Sequence, residues 1–184
     1  MARVVVPFRE QGAKSRLGFG AAATHRAVVR AMLGDVLDAA AAVGTPIVAL
    51  DEGGQGRAVA AELERLPAEP VLVVNADLPC ATPRDLLALL GCAPPGGLAL
   101  VEAADGTTNA LALSSPRHFA SLYGPGSAAR FRAHAARVGV DCVSADIPNL
   151  ADDVDTAEDL ERLEARLGRR TSAVLASLRL GASA

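Results

Sequence analysis

Apolar residues recur along this chain in two alternating rhythms: short unbroken runs, and steps of three and four residues. The β-branched run at 3–7 suits a buried strand. A loop with Gly12, Gly18 and Gly20 follows. Val28, Val29, Met32, Leu33, Val36, Leu37 and Ala40 then share one face of a helix predicted over 21–43, which Gly44-Thr45-Pro46 stops. Further strands are predicted at 47–50, 71–74, 98–101, 110–113 and 141–144, and further helices at 58–66, 83–90, 127–138 and 156–167. The run at 71–74 is apolar at every position, as expected of a strand covered on both faces. Thr82 is placed to cap the helix that begins at Pro83. From Arg169 onward only Val174, Leu175, Leu178 and Leu180 form an apolar pattern, so 169–184 reads as a tail or short helix after a domain spanning 1–168. Strands separated by helices predict an α/β fold with a mostly parallel sheet, whose ligands sit at the carboxyl ends of the strands.

Composition narrows the function. A chain of 184 residues, 51% hydrophobic, has the length and apolar content of one domain with a substantial core. The net charge of −3, the 3% aromatic content and the lack of Trp argue against nucleic acid as a partner, because such binders are basic or carry stacking rings. No apolar run is long enough to span a membrane, and the N-terminal apolar stretch is too short for a signal peptide, so a cytoplasmic protein without a membrane partner is expected. Cys80, Cys92 and Cys142 are odd in number and form no CxxC pair; they read as buried thiols in a reducing compartment. Of the 18 basic residues only Lys14 is a lysine, a compact point charge among planar guanidinium groups.

Four stretches that follow predicted strands carry candidate chemistry. Gly12-Ala13-Lys14-Ser15-Arg16-Leu17 can turn backbone N–H groups and two cations toward a phosphate, although taken alone it reads first as a solvated basic loop. It matches neither the P-loop nor the dinucleotide fingerprint. Asn75-Ala76-Asp77-Leu78-Pro79 ends the most apolar strand, where a carboxylate asks for a cation such as Mg²⁺, unless Asp77 caps the segment after Cys80. In Asp152-Asp153-Val154-Asp155-Thr156-Ala157-Glu158-Asp159, Asp153 and Asp155 point to one side of an extended stretch and also ask for a cation. The same residues equally suit a helix N-terminus. Finally, Asp105-Gly106-Thr107-Thr108-Asn109-Ala110-Leu111 and Tyr123-Gly124-Pro125-Gly126-Ser127 offer hydroxyls and glycine N–H groups to a small oxyanion, or serve as turns with an N-cap serine. His25, His118 and His134 lie in helix-like surroundings and are read as non-catalytic.

In this order, the Val6-Pro7 strand end with its AKSRL loop, then ADLP, DGTTNAL, YGPGS and DVDTAEDL, the chain resembles the 2-phospho-L-lactate/phosphoenolpyruvate guanylyltransferases of coenzyme F-420 biosynthesis. These belong to the wider nucleotidyltransferases of the molybdenum-cofactor guanylyltransferase type. The match runs from Val6 to about Leu163; ADLP is shared with the wider group, and the later motifs are particular to the smaller family. The resemblance implies a single-domain, Rossmann-like three-layer sandwich. It implies transfer of GMP from GTP to the acceptor's phosphate, with release of pyrophosphate. By the same resemblance Asp77, Asp153 and Asp155 would hold Mg²⁺, Thr108, Gly124 and Ser127 the acceptor, and Lys14 and Arg16 the GTP phosphates as the catalytic cations. Pro7, Gly12, Gly53 and Gly54 would complete the nucleotide cradle around Lys14. The Ala- and Arg-rich composition inclines the acceptor toward phosphoenolpyruvate. The chain differs from the family in carrying Arg9 where Lys is usual. It is also shorter between the second strand and Gly53-Gly54-Gln55-Gly56, and Gly56 stands where Asn is expected. No residue is therefore assigned to the guanine base. A same-fold transferase acting on a pterin or sugar phosphate, a non-catalytic nucleotide-binding paralogue, and a homodimer all remain open on the sequence.

Overall fold

In the computed structural model the described residues are 2–9, 17–19, 21–50 and 53–182. Six strands form one sheet in the order β2-β1-β3-β5-β4-β6: β1 (Ala2–Phe8), β2 (Gly44–Leu50), β3 (Val71–Val74), β4 (Leu98–Glu102), β5 (Thr108–Leu113) and β6 (Cys142–Ser144). All pairings are parallel except those of β5, which runs antiparallel to both β3 and β4. The sequence pattern of strand and helix missed this reversal for a local reason. Only the turn at 103–107 separates β4 from β5, too short for a crossover helix, so the two strands pair as a hairpin.

Helices cover both faces. Val4 and Val6 of β1, Leu72 and Val74 of β3 and Ala110 and Ala112 of β5 pack toward α1 (Ala22–Val43), α3 (Pro83–Cys92) and the short α5 (Pro148–Ala151). Val5, Val71, Val73, Leu111 and Leu113 point the other way, toward α2 (Gln55–Leu63) and α4 (Ser127–Val138), where Phe131 is fully buried. This is the period-two alternation of a strand covered on both sides, and it makes the molecule a three-layer sandwich. The α1, α3 and α4 helices and β3 start or end within two residues of expectation. Thr82 caps α3 in a capping box: its hydroxyl accepts from the Asp85 N–H at 3.3 Å and its own N–H donates to Asp85 at 2.9 Å.

Three elements depart from the sequence pattern. β2 begins at Gly44, directly at the end of α1, because a Cβ there would lie 2.0 Å from the Ala2 carbonyl oxygen of the neighbouring strand. α2 starts at Gln55, behind Gly54 at φ +118°, and ends three residues before the expected end. The helix expected over 156–167 is split into α6 (Ala157–Arg162) and a 3-10 turn (Glu164–Arg166); just beyond it the Gly168 N–H donates to the Pro79 carbonyl at 2.7 Å.

The segment after Gly168 forms α7 (Arg169–Ala182), packed on α1. Asp35, buried in the middle of α1, accepts from the N–H groups of Arg170 (2.8 Å) and Thr171 (2.9 Å), serving another helix's N-terminus. The Arg170 guanidinium grips the neighbouring Asp38 through two bonds of 2.8 Å. Cys80 is buried as expected, whereas Cys92 and Cys142 are half-buried; all three are free thiols. Among the described residues no helix is long and apolar enough to cross a membrane.

Candidate active site

The reversal of β5 decides where the motifs meet. Because β5 runs against β3, its first residues lie at the same edge of the sheet as the last residues of β3. The Asn75 N–H donates to the Asn109 carbonyl at 3.0 Å, one rung beyond the Val74–Ala110 pair. Two motifs separated by over thirty residues thus become neighbours at the carboxyl ends of β1 and β3. The Asn75 amide donates to the Thr108 carbonyl at 3.3 Å and accepts from the Gln55 side chain at 2.7 Å, tying the start of α2 to the same edge.

Asp77, Asp153 and Asp155 come together here, each offering a carboxylate oxygen within 4.8 Å of the others, and all three are half-buried. Oxygens sharing one Mg²⁺ at about 2.1 Å lie no further apart than about twice that distance, so a small side-chain adjustment would bring all three onto one ion, with the remaining positions left to other oxygens. The donor set, all oxygen and all anionic, suits a hard divalent cation. The backbone welds the two acidic stretches: the Val154 N–H donates to the Asp77 carbonyl at 3.0 Å. Asp77 does not cap α3, since Thr82 and Asp85 do.

The other acids of the 152–159 stretch are engaged elsewhere. Asp159 closes a capping box with Thr156 and also accepts from the Asp155 N–H at 3.1 Å. Burial works to raise its carboxyl, but the Arg162 guanidinium and the N–H and hydroxyl donors outweigh it and hold the group at about 2. Asp152 is turned aside onto Arg162 and Arg166. There too burial raises the carboxyl, and the two guanidinium groups more than reverse it, leaving it below the usual range. The capping and cation-binding readings of this stretch thus fall on different residues.

Beside the acidic cluster, the Ser127 hydroxyl donates to the Thr108 hydroxyl at 3.1 Å, and both residues are buried. Ser127 is not the N-cap of α4: that position is Gly126, at φ +68°. Gly124, at φ +112°, is exposed in the preceding loop. Sequence reasoning gave no role to Arg130, whose guanidinium holds this loop from one side. It donates to the Leu122 carbonyl at 2.7 Å, to the Tyr123 carbonyl at 3.2 Å and to the Pro125 carbonyl. In a trans peptide the C=O and the following N–H point in opposite directions. The N–H groups of Tyr123, Gly124 and Gly126 therefore face away from Arg130. The loop is anchored below by Tyr123, which meets Phe131 edge-on at a centroid distance of 5.6 Å. Burial pushes the Tyr123 phenol above its ordinary value, so it stays neutral.

Of the nucleotide-side expectations, Pro7 is buried near the end of β1, opposite Ala49. Gly53 and Gly54 lead into α2 at the same end of the sheet. Gly12, Lys14 and Arg16 lie outside the described residues. Gly56 faces Ser121: a Cβ there would lie 2.1 Å from the Ser121 hydroxyl oxygen and 3.1 Å from its Cα.

No protein-family model matches the chain. It is 35% identical over 88% of its length, and 86% of the relative's, to a phosphoenolpyruvate guanylyltransferase of Conexibacter woesei. It is 33% identical, over 92% of its length and 86% of the relative's, to a 2-phospho-L-lactate guanylyltransferase of Natrialba magadii. A 3-phospho-D-glycerate guanylyltransferase of Phenylobacterium zucineum is 32% identical over 91% of the chain and 92% of its own. Among solved structures the fold is shared with a candidate nucleotide-diphospho-sugar transferase of Desulfovibrio desulfuricans G20, with a TM-score of 0.72 at 14% identity over 96% of the chain and 95% of that structure. A nucleotidyl transferase of Methanothermobacter shares it with a TM-score of 0.55 at 16% identity, over 90% and 96%. Relatives at this identity over most of both lengths, on a nucleotidyltransferase scaffold, place the protein among transferase enzymes: the chain belongs to the family of phosphoenolpyruvate and 2-phospho-L-lactate guanylyltransferases.

Proposed function

We propose that this protein is a cytoplasmic, Mg²⁺-dependent enzyme of coenzyme F-420 biosynthesis. It transfers GMP from GTP to the phosphate of phosphoenolpyruvate and releases pyrophosphate. The observation that carries this reading is the meeting of Asp77, Asp153 and Asp155, drawn from two distant stretches of chain, beside the Thr108–Ser127 corner. Phosphoenolpyruvate is the preferred acceptor because the Conexibacter relative is named for it and the composition leans the same way.

A phosphate monoester is largely dianionic near neutral pH, with a second pKa of about 6, so no general base is required. An acceptor phosphate oxygen forms a bond to the α-phosphorus of GTP, and the bond from that phosphorus to the bridging oxygen of the leaving pyrophosphate breaks. What the protein must overcome is repulsion between two polyanions, together with the need for in-line approach. Mg²⁺, when held by Asp77, Asp153 and Asp155, supplies charge neutralisation and electrophilic polarisation of the phosphate oxygens. Lys14 and Arg16 hold the GTP phosphates and neutralise charge on the leaving pyrophosphate. Pro7, Gly12, Gly53 and Gly54 shape the nucleotide's cradle. Thr108, Gly124 and Ser127 hold the acceptor, with the N–H groups that Arg130 turns outward adding partial positive charge without a mobile side chain.

The test is pyrophosphate release with purified protein, crossing GTP, ATP and CTP against phosphoenolpyruvate, 2-phospho-L-lactate and 3-phospho-D-glycerate. The expected result is rapid release with GTP plus phosphoenolpyruvate, abolished by EDTA. Release only with another acceptor corrects the substrate; no release with any combination overturns the reading.

A further inference from the structure

Strand β5 carries a side chain that the reading above leaves unused. Asn109 is 2% exposed, on the second residue of β5, between Thr108 and the first core alanine of the strand. Its amide nitrogen donates to the Ala151 carbonyl at 3.1 Å and to the Asp153 carboxylate at 3.4 Å. Both partners are acceptors, so the nitrogen must face them, and the orientation of the amide is fixed. Its backbone carbonyl accepts from Asn75, at the head of the loop that carries Asp77. One residue therefore touches both limbs of the acidic cluster, Asp77's loop through its main chain and Asp153 through its side chain.

We infer that Asn109 is a positioning residue for the divalent cation: its amide aims Asp153 at Asp77 and Asp155 and fixes the 151–155 turn from which two of the three carboxylates hang. The inference rests on the proposed metal role of the acidic cluster and deepens it. The physical need is clear. Three carboxylates gathered within a few ångströms repel one another and turn apart unless donors restrain them. Asn109 restrains without adding charge, where an Arg or Lys would compete with the cation. It also restrains from a rigid element, the buried end of a strand. Through adjacent Thr108, the same two residues of β5 serve the acceptor corner and the cation corner, which sets the distance between them.

The experiment is direct Mn²⁺ binding, read by loss of the free Mn²⁺ electron-paramagnetic-resonance signal, on the purified full chain and on Asn109→Ala. Removal of a residue that orients a metal ligand weakens metal binding by about 10–100-fold. The expected result is a Kd for Mn²⁺ raised at least about tenfold, with kcat recovered at high Mg²⁺ while the Mg²⁺ needed for half-maximal rate rises in parallel. A merely structural role predicts a lower melting temperature with unchanged Mn²⁺ affinity, and that result overturns the inference. If Asn109→Ala loses cooperative melting, Asn109→Leu, which fills the same space and has no donor, is measured in its place under the same criteria. The two readings fail separately: no Mn²⁺ binding by the parent chain sinks the metal assignment, whereas equal binding by parent and variant sinks only the role of Asn109.

Discussion

The backbone N–H of Val154 donates to the carbonyl of Asp77 at 3.0 Å. This single main-chain bond locks together two stretches 77 residues apart, and the side chains on either side of it are the carboxylates of the cluster. Val154 itself is fully buried, against Leu17, Val28, Met32 and Cys80, so the acidic turn is held by an apolar anchor between its two acids. Alternation does the rest: with Val154 pointing into the core, Asp153 and Asp155 must point out of it.

Neutralising the cluster should stop turnover while the fold survives. Asp153→Asn and Asp155→Asn each keep the shape of the side chain and remove a charge. Each is expected to lower kcat with GTP and acceptor by roughly a hundredfold or more, on the scale of losing one preorganised electrostatic group. Far-ultraviolet circular dichroism should be unchanged. A variant that retains a tenth of the parent rate at ordinary Mg²⁺ would remove that residue from the site.

Arg130 should act on the acceptor and not on the nucleotide. Its four bonds to the carbonyls of Leu122, Tyr123 and Pro125 set the direction of the loop's N–H groups. Arg130→Ala is expected to raise the acceptor KM about tenfold, with the GTP KM within twofold of the parent. A planar fork makes these bonds and an ammonium cannot reproduce all of them, so Arg130→Lys should recover only part of the loss. Equal increases in both KM values would show general loosening instead.

Two aspartates one turn apart on α1 should differ sharply in their effect on stability. Asp35 is buried and satisfies two N–H groups of α7; Asp35→Ala leaves those donors without a partner and is expected to cost about 1–3 kcal/mol. Asp38 makes an exposed ion pair with Arg170, and Asp38→Ala should shift the urea midpoint little. The Arg170 guanidinium holds the Asp38 carboxyl below its ordinary value. A depressed carboxyl contributes stability above its unfolded pKa, about 3.9, and loses it as pH falls through the folded value. The small gap between parent and Asp38→Ala should therefore close as the medium is taken from pH 5 to below pH 3. A gap that widened on acidification would contradict the assignment.

The surroundings of Gly56 account for a glycine at the position where the family resemblance led to an expected Asn. The 2.1 Å and 3.1 Å approaches to Ser121 leave no room for a side chain, so α2 lies tight against the segment that leads to the YGPGS loop. Gly56→Ala is expected to destabilise by about 1–3 kcal/mol through overpacking. Because the 3.1 Å approach is to backbone, Ser121→Gly in the same chain should relieve only part of this, as read by melting temperature.

Much of this molecule was legible from the order of its residues. The apolar run at Val71–Val74 and the amphipathic face of α1 reflect local periodicity, which burial enforces whatever the neighbours are. The alternation in Asp153-Val154-Asp155 was equally readable, since it needs only an extended backbone. Other features depended on contacts that periodicity does not encode. The halving of the 156–167 helix, the start of β2 at Gly44 and the seating of α7 on Asp35 are of this kind.

The sequence by itself determined which side chains could bind a cation or an anion, and the pattern of apolar residues that forces strands and helices into layers. Only the tertiary structure decided that they converge, and it did so through the direction of one strand. With β5 reversed, Thr108 and Asn109 arrive at the edge where β3 releases Asp77; a parallel β5 would have carried them to the opposite edge, a strand's length away. The short 103–107 turn makes β5 antiparallel to β4, but its seat beside β3, thirty-odd residues earlier in the chain, is a non-local pairing. A local pattern of residues therefore names the participants and leaves their meeting to the fold.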